Sequence, residues 1–170
     1  RQHAAREPMG WKLDPYNGQP RYDAIRKFVE AWRVDQDPDL TSKRKRVSEP
    51  AINAIKLADL RGMGGAGFRT HIKWTAVRDE PSNVKYVVCN GDECEPGTFK
   101  DRELLRRTPW LLVEGMVMAG LVTGAERGWI YIRHEYHEEI ELMEQAIRQA
   151  EQDGICGKNI LGSNLSFPLE

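Results

Sequence analysis

Apolar and polar positions along this chain follow two periods. Within 21-RYDAIRKFVEAWRV-34, Ile25, Phe28, Val29 and Trp32 recur at i, i+3, i+4 and i+7, which predicts a short amphipathic helix. Residues 35–50 are polar and read as a linker, and 51-AINAIKLADL-60 predicts a second helix with Ser48 as its cap and Pro50 in its first turn. The stretch 70-THIKWTAVRD-79 predicts a third helix capped by Thr70. The β-rich run 84-VKYVVCN-90 is the best strand in the chain. A long apolar helix is expected from Pro109 to Ala125, with Gly128 as a stop, followed by a second strand over 128–135. Residues 136–154 predict a charged amphipathic helix with Ile140, Met143, Ala146 and Ile147 on one face and Gly154 ending it. Strand, helix, strand, helix with apolar strands is the pattern of a parallel sheet. The expected fold is therefore α/β: a Rossmann-like parallel sheet flanked by helices, incomplete, over residues 50–170, after an irregular extension over residues 1–49. The closing 166-SFPLE-170 reads as an incoming strand, and with the initial Arg it makes the chain an expected fragment of a longer polypeptide.

Composition narrows the function classes. A chain of 170 residues, 40% apolar and 30% charged with net charge −1, is that of an ordinary soluble domain. No bulk charge favours nucleic acid or an anionic membrane. The K-R-K-R run at 43–46 sits beside acids and reads as a solvated loop. The apolar run 110-WLLVEGMVMAGLVTGA-125 is short of the ~20 residues a membrane span needs and contains Glu114. Cys89, Cys94 and Cys156 form no C-x-x-C pair, so neither a disulfide framework nor an iron–sulfur or zinc site made by this chain alone is expected. The default location is cytoplasmic.

Two loops carry candidate chemistry. In 60-LRGMGGAGFRTHIKW-74, Gly62, Gly64 and Gly67 match G-x-G-x-x-G. The usual dinucleotide fingerprint has a strand in front, whereas here a predicted helix precedes the loop. The predicted helix behind it still makes the loop an anion site by geometry, with Lys73 nearby. The second loop, 90-NGDECEPGTFKDRE-103, follows the first strand and holds Asn90, Asp92, Glu93, Glu95, Asp101 and Glu103. A solvated turn and a carboxylate metal site are both open readings of it. Paired with the glycine loop, it describes a nucleotide-like site: amides for phosphate, and carboxylates with an amide for ribityl or ribose hydroxyls and ring N–H groups.

The remaining candidates have plainer readings. Cys89 ends a strand and reads as core, while Cys94 lies in the acidic loop as a candidate reactive thiol. His134 and His137 flank Tyr136 and read as structural. Phe68 suits stacking on a flat ring. Trp74, Trp110 and Trp129 lie on regular elements and read as core.

The run from Leu60 to Trp74, then YVVCNGDECEPGTFKDRE, LVEGMVMAG and YIRHEY, closely resembles the flavin-binding NADH dehydrogenase subunit of respiratory complex I and the related diaphorase subunits of NAD-linked hydrogenases and formate dehydrogenases. The resemblance covers most of residues 50–160. It implies an unusual Rossmann-like domain in which the loop of Gly62, Gly64, Gly65, Ala66 and Gly67, with Lys73, binds FMN. By the same resemblance Asn90, Asp92 and Glu93 also contact FMN, and Phe68 and Glu95 face NADH. The implied activity is hydride transfer from NADH to FMN, then electron passage to iron–sulfur clusters. The implied partners are a thioredoxin-like [2Fe-2S] subunit and other iron–sulfur subunits of a larger complex, peripheral to the cytoplasmic face of a membrane, with no direct membrane insertion. No side chain is required as a general acid or base.

The sequence departs from the family at Met63 (usually Arg), Arg69 (usually Pro), His71 (usually Gly), Cys94 (commonly Gly) and Ala76 (often aromatic). These changes imply a nucleotide pocket altered more toward NADH than toward FMN. The family also continues into a ubiquitin-like domain and a helical domain whose cysteines hold a [4Fe-4S] cluster, and those ligands are absent from this chain. A non-catalytic homologue serving as an assembly module is the alternative reading.

Overall fold

The computed structural model describes residues 19–82 and 84–170, so the irregular start expected over residues 1–20 lies largely outside the described residues. Among the described residues, six helices and a small parallel sheet follow one another as α1 (Asp23–Val34), α2 (Leu40–Leu57), α3 (Thr70–Asp79), β1 (Tyr86–Gly91), α4 (Lys100–Arg107), α5 (Pro109–Thr123), β2 (Arg127–Ile132) and α6 (His137–Gln152). A 3-10 turn at Ile160–Gly162 completes the order. The architecture is an open, helix-rich α/β fold.

The predicted stripe of α1 holds: Ile25, Phe28, Val29 and Trp32 are all buried. The predicted linker does not. Helix α2 starts at Leu40 because the Asp39 carboxylate accepts hydrogen bonds from the N–H groups of Thr41 and Ser42 (3.1 and 3.4 Å). Ser48 is therefore a buried mid-helix residue, not a cap, and Pro50 lies inside the helix. The basic run is spent on internal contacts. Lys43 and Arg44 stack over the Trp32 ring at 4.6 and 5.1 Å, and Arg46 bridges Asp35 and Asp37 at 3.0 and 2.7 Å. Arg44 also donates to the carbonyl of Leu121 in the last turn of α5, where no intrahelical donor remains.

Helix α5 is the centre of the core, with Val113, Val117 and Val122 completely buried. It is apolar all round, as an enclosed helix must be. Its stop is Gly124, in the left-handed region at φ 77°, four residues earlier than the predicted Gly128. Glu114, the one acid in the run, is buried and its carboxylate accepts from the N–H of Ala24 at the start of α1. Among the described residues no helix is long and apolar enough to cross a membrane.

Strands β1 and β2 pair in parallel with Tyr86 opposite Arg127 and Asn90 opposite Tyr131, as the alternation of elements predicts. Val87, Cys89, Ile130 and Ile132 pack on the core side. The closing residues do extend the sheet: Gly128 and Ile130 donate to the carbonyls of Pro168 and Glu170, and Glu170 donates back to Gly128. On the other face Tyr86, Val88 and Tyr131 are exposed. Trp129 belongs to this outer face, 5.0 Å from the Tyr86 ring and bonded to Glu170, so it is not the core residue expected; Trp74 and Trp110 do pack against the core.

Candidate functional site

The glycine loop leaves a helix and enters a helix, as the sequence indicates. It is a closed lasso: Gly62 N–H donates to the Phe68 carbonyl (2.9 Å), Thr70 N–H to the Leu60 carbonyl (3.0 Å), and Arg61 and Arg69 form an antiparallel bridge. The Asp59 carboxylate ties the base, meeting Arg61 at 2.9 Å and Arg69 at 3.5 Å. Arg69, where the family has Pro, is the N-cap of α3 at φ −69°, the value proline would impose. Thr70 is thus the first helical residue and not the cap. His71 is less well accommodated, since its buried Nδ1 has no hydrogen-bond partner. Gly65 and Gly67 sit at φ 98° and 59°. A Cβ built at Gly64 or Gly65 has no neighbour within 4 Å. Among the described residues nothing accepts from the amides of Gly64, Gly65, Ala66 or Gly67.

The acidic loop faces this lasso at the carboxyl end of β1. Gly64 and Gly65 on one side and Asn90, Asp92, Glu93 and Glu95 on the other line a single open cavity of about 640 Å³. That lies within the ordinary range for small-molecule and cofactor sites. Met63, Cys94, Thr98, Lys100 and Asp101 complete its wall; of these the sequence offered only Asp101 as a candidate ligand, in the carboxylate metal reading. Gly62, Ala66, Gly67, Phe68 and Lys73 do not line it. Phe68 projects outward, half exposed, with the Lys73 ammonium 6.0 Å from its ring centre.

The last four residues of the predicted acidic loop are helix. Lys100, Asp101, Arg102 and Glu103 form the first turn of α4, and the cap is non-local. Glu93 is buried, and its carboxylate accepts from the N–H of Asp101 (2.9 Å) and of Arg102 (3.2 Å). Burial pushes the Glu93 carboxyl up, but those two amides and the Tyr136 hydroxyl pull it further down, so it titrates below its ordinary 4.5. A lowered carboxyl contributes stability that is present above the unfolded value and lost as pH falls through the folded one. Glu93→Gln is therefore expected to be less stable than the parent at pH 7, with the gap closing as pH drops below about 4.5. Thermal melts of both proteins from pH 7 to pH 3 check this; a constant gap contradicts it.

The other titratable groups have structural explanations. Cys94 donates its thiol to Asp92 (3.1 Å), whose carboxylate holds the thiol above its ordinary range and disfavours the reactive thiolate. Cys156 is buried, which pushes it up to about 12. His134 is exposed beside Glu135 (3.2 Å) and meets His137 edge-on at 6.4 Å. Among the described residues no group of three His, Cys, Asp or Glu side chains is placed to hold a metal ion.

Known proteins share the sequence and the fold of this chain. Residues 55–166 match the Nuo51 FMN-binding domain family. The chain is 37% identical over 172 aligned residues to the F subunit of the NADH-quinone oxidoreductase of Escherichia coli (strain K12), covering 95% of the chain and 36% of that protein. It is 40% identical over 160 residues to the F 2 subunit of the NADH-quinone oxidoreductase of Rhizobium meliloti (strain 1021), covering 94% of the chain and 35% of that protein. A solved structure, an NAD+-reducing [NiFe]-hydrogenase in the H2-reduced state, aligns at TM-score 0.66 and 29% identity over 90% of the chain and 23% of the hydrogenase chain. The chain thus spans about a third of the length of the curated relatives it matches. The match across residues 55–166, over both loops and both strands, makes this chain a member of the Nuo51 FMN-binding domain family.

Proposed function

We propose that this chain is the FMN-binding part of an NADH dehydrogenase subunit. The observation behind the reading is the pairing, across one cavity, of a lasso with free amides and a loop of carboxylates. The residues fit FMN by charge and by room. The phosphate end suits the amides of Gly64 and Gly65, where no side chain intervenes. The carboxylates would repel a phosphate, so the ribityl hydroxyls and ring N–H suit Asn90 and Asp92, and Glu95 on the same wall is left to face NADH. Glu93 borders the cavity and holds the loop through α4. Held there, FMN would supply the hydride acceptor for NADH and a single-electron donor to iron–sulfur clusters in partner segments or subunits. The chain's own residues bind and orient, and none needs to move a proton.

In this reading residues 50–170 carry the cofactor domain and residues 1–49 an extension whose helix α1 packs into the same core. Phe68 is free to stack on the nicotinamide of NADH, and Lys73 beside it is a further cation for the ligand's phosphates. The partners are a thioredoxin-like [2Fe-2S] subunit and other iron–sulfur subunits of a cytoplasmic, membrane-peripheral complex.

Titration of the purified chain with FMN, followed by flavin fluorescence, tests the proposal. Saturable one-to-one quenching, with FMN released on denaturation, is the expected result; protein that stays colourless and leaves the fluorescence unchanged refutes it. A second reading, a non-catalytic assembly module, is favoured by the bare sheet face of Tyr86, Val88 and Tyr131, since parallel sheets are normally covered on both sides. The same titration separates the two.

A further inference from the structure

We propose that Arg133 and Tyr136, which do not line the cavity, are positioning residues that hold the acidic loop in its ligand-binding shape; the proposal rests on the flavin reading above. The loop from Asp92 to Phe99 has no regular secondary structure, and its internal bonds are short-range: Asp92 N–H to Asn90 (3.0 Å) and Thr98 to the Glu95 carbonyl (2.6 Å). They shape two turns but do not fix the loop against the sheet.

That anchoring comes from beyond β2. Arg133 forms a two-pronged pair with Glu135 through Nε (3.1 Å) and Nη2 (3.0 Å). The fork aims the remaining nitrogen, Nη1, which donates to the backbone carbonyl of Glu93 at 2.7 Å. The Tyr136 ring lies beside both the Arg102 and Arg133 guanidiniums, with centre-to-charge distances of 5.8 and 5.3 Å. Its hydroxyl donates to Glu93 Oε2 at 3.3 Å. Residue 93 is therefore gripped at its carbonyl and at its carboxylate, and the side chains of Asp92 and Glu95 on either side take their aim from it. If Arg133 were merely half of a surface ion pair with Glu135, its removal would leave the loop unchanged.

The test uses the 170-residue chain and the variants R133Q, R133K and Y136F, with R127Q as control because Arg127 pairs with Glu170 at the far end of the same strand. Two quantities are measured: hydrogen exchange of the amides of residues 93–102, and FMN affinity by fluorescence titration. Losing one charge-assisted bond predicts exchange about 10-fold faster and FMN binding about 10-fold weaker in R133Q, and about 3-fold changes in Y136F. R133K, which keeps a single donor, recovers part of both, and R127Q changes neither. Parent and R133Q with equal exchange and equal affinity overturn the proposal. A parent chain that takes up no FMN while R133Q still opens the loop overturns the flavin reading and leaves the clamp standing.

Discussion

Phe167→Ala is expected to destabilise the fold by about 3–5 kcal/mol, a large share of the roughly 5–15 kcal/mol that holds a domain together. The Phe167 ring is fully buried and fills space that two glycines leave for it. A Cβ at Gly120 would fall 2.3 Å from Cδ2 and Cε2 of the ring, and one at Gly128 would fall 2.8 Å from Cζ. The ring therefore locks α5 to β2 while its own backbone exchanges two hydrogen bonds with Gly157 (2.9 and 2.7 Å). The reciprocal change carries an informative sign. Alanine at a helix-interior glycine ordinarily stabilises by about 1 kcal/mol. Gly120→Ala instead forces an enclosed ring to move, and overpacking of that kind costs about 1–3 kcal/mol, so the clash wins. In the double variant the new methyl occupies part of the space the ring vacates. Its loss should then be smaller than the sum of the single losses by about 0.5–3 kcal/mol. Urea unfolding of the four proteins measures this cycle. Strict additivity would show that the ring and the glycine are not in contact. Hydrogen exchange at Gly128 and Ile130, whose amides are held by Pro168 and Glu170, should accelerate first in Phe167→Ala.

Elements that carry their own apolar pattern were readable from the sequence, and elements defined by partners were not. The Ile25–Trp32 stripe, the apolar run of α5 and the valines of β1 needed no knowledge of the rest of the chain. The last part of helix α2 was read from 51–60, but its first half was hidden because it offers little apolar face: Val47 is buried among charges whose partners come from elsewhere. Arg46 is matched by Asp35 and Asp37, and Arg44 by Trp32, so a run that looks like a solvated loop is a packed helix. Pro50 also argues for a helix start when taken alone. Helix α4 was hidden for a similar reason, because its cap, Glu93, lies well upstream of its first residue, Lys100. In the site, the motif residues that line the cavity, Gly64, Gly65, Asn90, Asp92, Glu93 and Glu95, were legible, since glycine spacing and clustered carboxylates are local features. Arg133 and Tyr136 were not, because their contacts with Glu93 span 40 and 43 residues. His134 and His137 drew notice as titratable groups, whereas the hydroxyl between them makes the contact with the loop.

Gly64→Val is expected to abolish FMN binding, weakening it by at least about 100-fold, while leaving thermal stability nearly unchanged. The two halves of this expectation have different causes. At Gly64 an added Cβ meets nothing within 4 Å and the backbone is outside the left-handed region, so a larger side chain strains neither packing nor φ. The fold has no use for a glycine there. A ligand does, because only a bare backbone lets a phosphate reach the amides of Gly64 and Gly65. Two hydrogen bonds to a charged group, at about 1.5–3 kcal/mol each, amount to roughly two orders of magnitude or more in affinity. Gly65→Val is the contrasting variant: at φ 98° it strains the loop itself, so it should lower both the melting temperature and the affinity. Fluorescence titration with FMN and a thermal melt on each variant distinguish the cases. If Gly64→Val binds FMN as the parent does, the phosphate does not sit on this lasso, and the orientation assigned to the cofactor across the cavity must be reversed or abandoned.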